Sequence, residues 1–231
     1  ASSGGDHRVF KDGEQRIELD TGSILYIQAA FDEGGTIQAT DHDDDDGGES
    51  EDSIHFFNTC KLAAGSRYYE VGRQVLWQIQ MIVLAKVERR PHITGVELRK
   101  VKTGLVGGLI ANKGGVVCRL VYKGHDLAFV NTHLAAHEGI DFRLDRNRMA
   151  MEVQAKARVG NRDIDLGNQF HHSFWAGDLN YRVEFKDWIN PDGTLNKAVT
   201  KDEKMLQVKR VIDQEKWPVL WAADELRREL G

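Results

Sequence analysis

Residues 127–134 read Leu127-Ala128-Phe129-Val130-Asn131-Thr132-His133-Leu134, an apolar run that turns polar before it ends. In an extended chain successive side chains alternate faces. Phe129, Asn131 and His133 therefore share one side, and Val130, Thr132 and Leu134 the other. A strand that turns polar at one end is how α/β proteins deliver side chains to a site at the strand termini. A strand end that meets water, with His133 merely hydrogen-bonded, explains the same residues. The stretch alone does not choose between the two.

Outward from it, residues 142–159 carry Leu144, Met149, Val153 and Ala157 at roughly helical spacing, which predicts a helix. Residues 174–177 (Phe-Trp-Ala-Gly) then form a short apolar strand that stops at Gly177, with Phe174, Trp175 and Ala176 buried. Upstream, residues 75–87 (VLWQIQMIVLAKV) are rich in β-branched residues and alternate only partly, as one strand buried on both faces does. Residues 104–122 hold five glycines and end in the strand-like VVCRLVY. Downstream, residues 201–213 and 219–230 read as helices, the second beginning just after Pro218. Strands alternating with helices predict an α/β protein of layered sheets. No internal repeat is present.

Composition bounds what such a protein does. The 231 residues are 41% hydrophobic with 3 Pro, enough apolar material for one sizeable core and unlike collagenous or wholly disordered chains. Lys and Arg number 31 against 36 Asp and Glu, a net charge of −5, which argues against coating nucleic acid through global charge. Two cysteines, Cys60 and Cys118, are too few for a disulfide scaffold and fit buried thiols in a reducing, cytoplasmic setting. The longest mid-chain apolar stretch, 81–85, is far short of the about 20 residues that span a bilayer. Nothing in residues 1–10 reads as an apolar targeting core.

Texture divides the chain into residues 1–60 and residues 61–231. The first part holds an acidic low-complexity run, 41–52 (DHDDDDGGESED), which predicts a solvated loop or disordered insert. A calcium loop starting at Asp41 needs Gly at its sixth position and Glu at its twelfth, where Asp46 and Asp52 stand. Residues 16–30 predict two short strands around a Thr21-Gly22 turn.

Three short segments carry candidate chemistry. In 173–182 (SFWAGDLNYR), Asp178 and Asn180 are two apart and, in an extended chain, face the same side. A carboxylate beside an apolar strand end is costly without partners or a task. Asp178 suits a general base, Asn180 a neutral donor and Arg182 a fixed cation for phosphate. An Asx-type turn capping backbone amides is the alternative. In 112–116 (NKGGV), Lys113 is followed by glycine rather than Ser or Thr, so the nucleotide phosphate loop is rejected. What remains is a turn between strands, or glycine amides and Lys113 facing an anion. His133 and His137 lack the intervening Glu of a helical zinc motif, since Leu134 stands there.

NKGGV, then NTHLAAH, then FWAGDLNYR, in this order, resembles the inositol polyphosphate 5-phosphatases of the endonuclease/exonuclease/phosphatase superfamily. The resemblance runs from about residue 68 to 231 and includes VLWQIQMIVLAKV, His92-Ile93, Arg148 and the late WPVLWAADELRRELG helix. It implies two β-sheets packed face to face with flanking helices, and Mg²⁺-dependent hydrolysis of a phosphomonoester on an inositol phosphate or phosphoinositide headgroup. It also implies roles. Asp178 would orient or deprotonate the attacking water, Asn180 hold the scissile phosphate or water, and His133 donate to a phosphate oxygen with support from Asn131. Asn112, Lys113 and Arg182 would line the anion pocket.

The family pattern has a metal-binding Glu after Gln on an early strand, behind a Trp-Asn pair; neither pair occurs before Tyr68. Its terminal Asp-His pair and the Cys-Asp-Arg segment before it have no counterpart up to Gly231. The chain thus looks like the middle of such a domain, and little turnover is expected from it alone. With that go peripheral membrane contact, no nucleic-acid partner, and a partner chain covering incomplete sheet edges. A non-catalytic structural or interaction module keeping part of this fold is the competing reading.

Overall fold

The computed structural model describes residues 9–12, 15–18, 24–30, 49–103, 113–192 and 194–231. The Thr21-Gly22 turn, most of the acidic run (41–48), the glycines of 104–108 and Asn112 lie outside the described residues. The chain divides into two units. One holds Ala1–His133 and Met151–Asp178, the other Leu134–Ala150 and Leu179–Gly231.

The first unit is a layered sandwich. Strands β1 (Val9–Asp12) and β2 (Gln15–Glu18) pair with each other, and with no other strand among the described residues. Strand β3 (Ile24–Ala30) follows, then helix α1 (Glu51–Ala64), and strands β4 (Tyr68–Leu76) and β5 (Ile79–Lys86) form one sheet with β3 in the order β3-β5-β4. Strands β6 (Ile93–Lys102), β7 (Gly114–Tyr122), β8 (His125–His133) and β9 (His172–Asp178) form the second sheet in chain order. All neighbours are antiparallel except β8 and β9, which run parallel. A parallel pair needs a crossover, and helix α2 (Ile140–Lys156) lies in that connection.

Two-residue alternation builds the layers. From β5, Ile79, Met81 and Val83 point into the core between the sheets, where they meet Val116, Cys118 and Leu120 of β7 and Leu127 and Phe129 of β8. Ile82 and Leu84 point the other way, onto Phe57 and Cys60 of α1. Val117 and Val130 leave the second sheet's outer face to pack on Val153, Ala157 and Val159. Both sheets are therefore apolar on both faces, as parallel-type interior strands are. The second unit centres on a smaller cluster of Phe185, Trp188 and Ala223. It carries helices α3 (Lys201–Asp213), α4 (Trp217–Ala223) and α5 (Glu225–Leu230).

Several expectations from the sequence change. Residues 75–87 are not one strand: the chain reverses at Trp77-Gln78, with Trp77 at φ 52, so β4 and β5 form a hairpin. The two short strands expected within residues 16–30 are present as β2 and β3, which pair with β1 and β5 respectively. Glu51 and Asp52 of the acidic run are helical rather than part of a loop. Ser50 caps α1 by accepting from the Ser53 amide, and Glu51 and Asp52 fill the first turn, where the helix dipole favours carboxylates. Phe174 stays 49% exposed, and Trp175 and Ala176 are only half-buried, because β9 is paired on one side only among the described residues. Leu144 is 55% exposed on a helix whose Met149 and Val153 are buried. The last predicted helix is two, α4 and α5, parted at Asp224, and Pro218 lies inside the first turn of α4.

Candidate active site

Strand register assembles the centre of the first unit. Gly114 opposes His133 across β7 and β8, and His133 opposes Asp178 across β8 and β9. Lys113, one residue before β7, thereby joins His133 and Asp178 at the same end of three adjacent strands. His133 Nε2 lies 2.5 Å from Lys113 Nζ and 3.4 Å from Asp178 Oδ2. Lys113 and His133 are buried, while the Asp178 side chain is 39% exposed. One ring nitrogen has either a proton or a lone pair to offer. Nε2 therefore accepts from the Lys113 ammonium or donates to the Asp178 carboxylate, and the proton's location decides which. Cation, imidazole and carboxylate side by side can bind an anion and move a proton at one place.

The neighbouring residues hold this end rigid. Asn131 is fully buried and its Nδ2 donates to the Gln80 carbonyl of the facing sheet at 2.8 Å. Trp175 Nε1 donates to Thr132 Oγ1 at 3.0 Å. Gly177 sits at φ 127 against Thr132, where a Cβ would come within 2.0 Å of the Thr132 carbonyl oxygen. Only glycine lets β9 run close enough to β8 to set Asp178 beside His133.

In the second unit the chain leaves extended geometry directly after Asp178. Asn180 has φ 56, so strand alternation does not carry from Asp178 to Asn180, contrary to the expectation of a shared face. The Asn180 side chain is held on both sides: its Nδ2 donates to the Leu134 carbonyl at 3.1 Å and its Oδ1 accepts from Arg182 at 2.9 Å. The Arg182 amide donates to Glu225 Oε2 at 2.8 Å. Sequence reasoning passed over Arg146 and Glu225, an ion pair at 2.7 Å with neither side chain exposed. A charged residue in a helix reads as surface unless its partner, here 79 positions away, is known. Arg148, singled out instead, pairs with Asp145 three residues before it.

Divalent metal is the cofactor the resemblance implies. A hard dication takes oxygen ligands, commonly one or two carboxylates with waters and substrate phosphate. Among the described residues no group of three or more His, Cys, Asp or Glu side chains converges, and Asp178 is the one carboxylate beside His133. Among the described residues Asp178 is therefore the carboxylate that this centre offers towards holding Mg²⁺.

Known proteins are similar to this chain in sequence and in fold. The sequence profile of "Endonuclease/Exonuclease/phosphatase family 2" matches residues 51–230, beginning at α1 rather than at Tyr68. The phosphatidylinositol 3,4,5-trisphosphate 5-phosphatase 2B of Danio rerio is 31% identical over 196 residues, 84% of this chain and 14% of that protein. The Homo sapiens phosphatidylinositol 3,4,5-trisphosphate 5-phosphatase 1 is 36% identical over 51% of this chain and 10% of its own length. The chain thus spans a small part of these relatives. Among solved structures, the inositol polyphosphate 5-phosphatase domain of SPsynaptojanin, in complex with inositol (1,4)-bisphosphate and calcium ion, superposes with a TM-score of 0.59. That match has 23% identity and covers 78% of this chain and 48% of that one. A Cimex nitrophorin ferrous NO complex reaches a TM-score of 0.51 at 15% identity over 90% of this chain and 60% of that one. The fold is thus the two-sheet sandwich expected, and a fold alone does not name an activity. From residue 51 to residue 230, this chain belongs to endonuclease/exonuclease/phosphatase family 2.

Proposed function

We propose that the chain forms part of a phosphoric monoester hydrolase acting on inositol polyphosphates or phosphoinositides. The observation that carries this reading is the juxtaposition of Lys113, His133 and Asp178 at the ends of β7, β8 and β9. A phosphomonoester brings about two negative charges and needs donors on its non-bridging oxygens while water attacks in line. Lys113 and His133 supply those donors. Asp178, whose side chain is 39% exposed, accepts the proton of the attacking water as its oxygen bonds to phosphorus; the bond to the ring oxygen breaks and that oxygen leaves as the inositol hydroxyl, taking a proton from solvent. Asn180 and Arg182 keep the roles that the resemblance gives them, holding the scissile phosphate and lining an anion pocket. Mg²⁺ would offset phosphoryl charge when bound. The similarity to 5-phosphatases supports its use, while the described residues contribute Asp178 alone towards holding it. Two buried thiols, neither in a disulfide, support a reducing, cytoplasmic setting.

The second reading, a binding or structural module on the same fold, is favoured by one observation: among the described residues the centre has a single carboxylate. The protein at its native length, given Mg²⁺ and either a soluble inositol polyphosphate or supercoiled plasmid, separates the possibilities. Phosphate release without nicking is expected. Nicking in place of release would make the protein a nuclease, and neither activity would leave the module reading.

A further inference from the structure

The buried pair Arg146–Glu225 has no part in the chemistry above, and burying two charges is not by itself stabilising. The desolvation of both ions commonly exceeds their attraction, and apolar replacements of similar volume are often as stable. Their contacts show what the pair does instead. Arg146 donates to the carbonyls of Ala135 at 3.1 Å and His137 at 2.8 Å, two and four residues after His133. It also donates to Glu225 Oε2 at 2.7 Å. The same carboxylate oxygen accepts the Arg182 amide at 2.8 Å, and the Glu225 amide donates back to the Arg182 carbonyl at 3.0 Å. Beside them, Tyr181 lies under the Arg146 guanidinium at 5.3 Å and donates to Asn147 Oδ1 at 2.5 Å. One guanidinium and one carboxylate thus tie two irregular segments of the second unit, 135–137 and 180–182. These segments begin two residues after the ends of β8 and β9 in the sequence.

We propose that Arg146 and Glu225 are positioning residues, a buried strut that fixes the left-handed turn at Asn180 and the direction of Arg182. This rests on the phosphatase reading, in which Asn180 and Arg182 handle phosphate. A planar guanidinium suits the task because its fork serves two carbonyls and a carboxylate at once, which an ammonium cannot do. Irregular backbone has no ladder to hold it, so its precision must come from such side-chain ties.

The test uses the double variant Arg146→Met/Glu225→Leu, which removes the ties without leaving a lone buried charge, and Glu225→Gln, which keeps an acceptor oxygen for the Arg182 amide. At native length the double variant is expected to melt near the wild-type temperature. Its turnover of a soluble inositol polyphosphate should fall about 10- to 100-fold with KM changed less than about threefold, the signature of misplacement rather than lost binding. Amide exchange at Arg182 and across 135–138 should rise at least about tenfold, an opening that local unfolding permits. Glu225→Gln should retain most turnover and the Arg182 protection. A folded double variant with wild-type turnover and wild-type exchange overturns the proposal. Should the double variant fail to fold, Arg146→Lys decides: faster exchange across 135–138 with protected Arg182 supports the strut, and unchanged exchange overturns it. The exchange measurement needs no activity. A wild-type protein that releases no phosphate therefore defeats the phosphatase reading and leaves the strut to be judged on exchange alone.

Discussion

Gly177 shows how closely the site depends on one residue. At φ 127, with Thr132 oxygen, Asn131 Oδ1 and Thr132 nitrogen at 2.0, 2.6 and 2.7 Å from where a Cβ would stand, no side chain fits without moving β9 off β8. Gly177→Ala should cost at least about 2 kcal/mol in urea denaturation and separate Asp178 from His133. Wild-type stability would mean that the close approach is not required. The two thiols make a second prediction. Burial pushes both Cys60 and Cys118 up to about 12, and neither is disulfide-bonded. At pH 8 the reactive thiolate is then about ten-thousandfold scarcer than the thiol. A thiol reagent should label neither residue in the folded chain and both in denaturant. Rapid labelling of the native chain would contradict their placement in the core. The sequence foretold both burials from cysteine count alone. It did not foretell the reversal at Trp77 or the turn at Asn180, since neither carries the glycine that usually announces a positive φ.

At the scale of elements, helix α3 matches its predicted bounds, 201–213, because its start is written locally. Thr200 accepts from the Glu203 amide, and Glu203 accepts from the Thr200 amide and hydroxyl. Those donors, the Thr200 amide first, hold the Glu203 carboxyl below its usual range. A depressed folded-state value means that the cap's contribution is present above the ordinary glutamate value. It fades as pH falls through the lower, folded one. Thr200→Ala should therefore lower the melting temperature by about 2–4 °C at pH 7, with a smaller difference near pH 3. A difference that grows on acidification would reverse the sign argued here. Helix α1 was equally legible, with Ser50 before Glu51 and Asp52, yet it was missed because the acidic run reads as a solvated tract. Asp224, which caps α5, likewise marked the break between the last two helices. Strand pairing was less accessible. A near-continuous apolar run shows that a strand is buried on both faces, but not that β3 lies beside β5 or that β9 forms an edge among the described residues.

For the whole molecule, the order of the short motifs pointed to the family, and the profile match over 51–230 bears that out. The arrangement within the first unit follows from register: three strand ends set Lys113, His133 and Asp178 in contact, although 65 residues separate the outer two in sequence, 113 to 178. Asn112, predicted to line the same pocket, lies outside the described residues. The Arg146–Glu225 pair escaped because nothing local in a sequence marks a charge as buried. The central claim is that Asp178 takes the water proton in phosphomonoester hydrolysis. It is tested most directly by comparing phosphate release from a soluble inositol polyphosphate, with Mg²⁺, by the native-length protein and by its Asp178→Asn variant. A fall of at least about 100-fold in turnover is expected, with circular dichroism and melting temperature nearly unchanged, because one polar group replaces another of the same shape on a partly exposed site. Equal turnover in a folded variant would remove Asp178 from the chemistry and contradict the account.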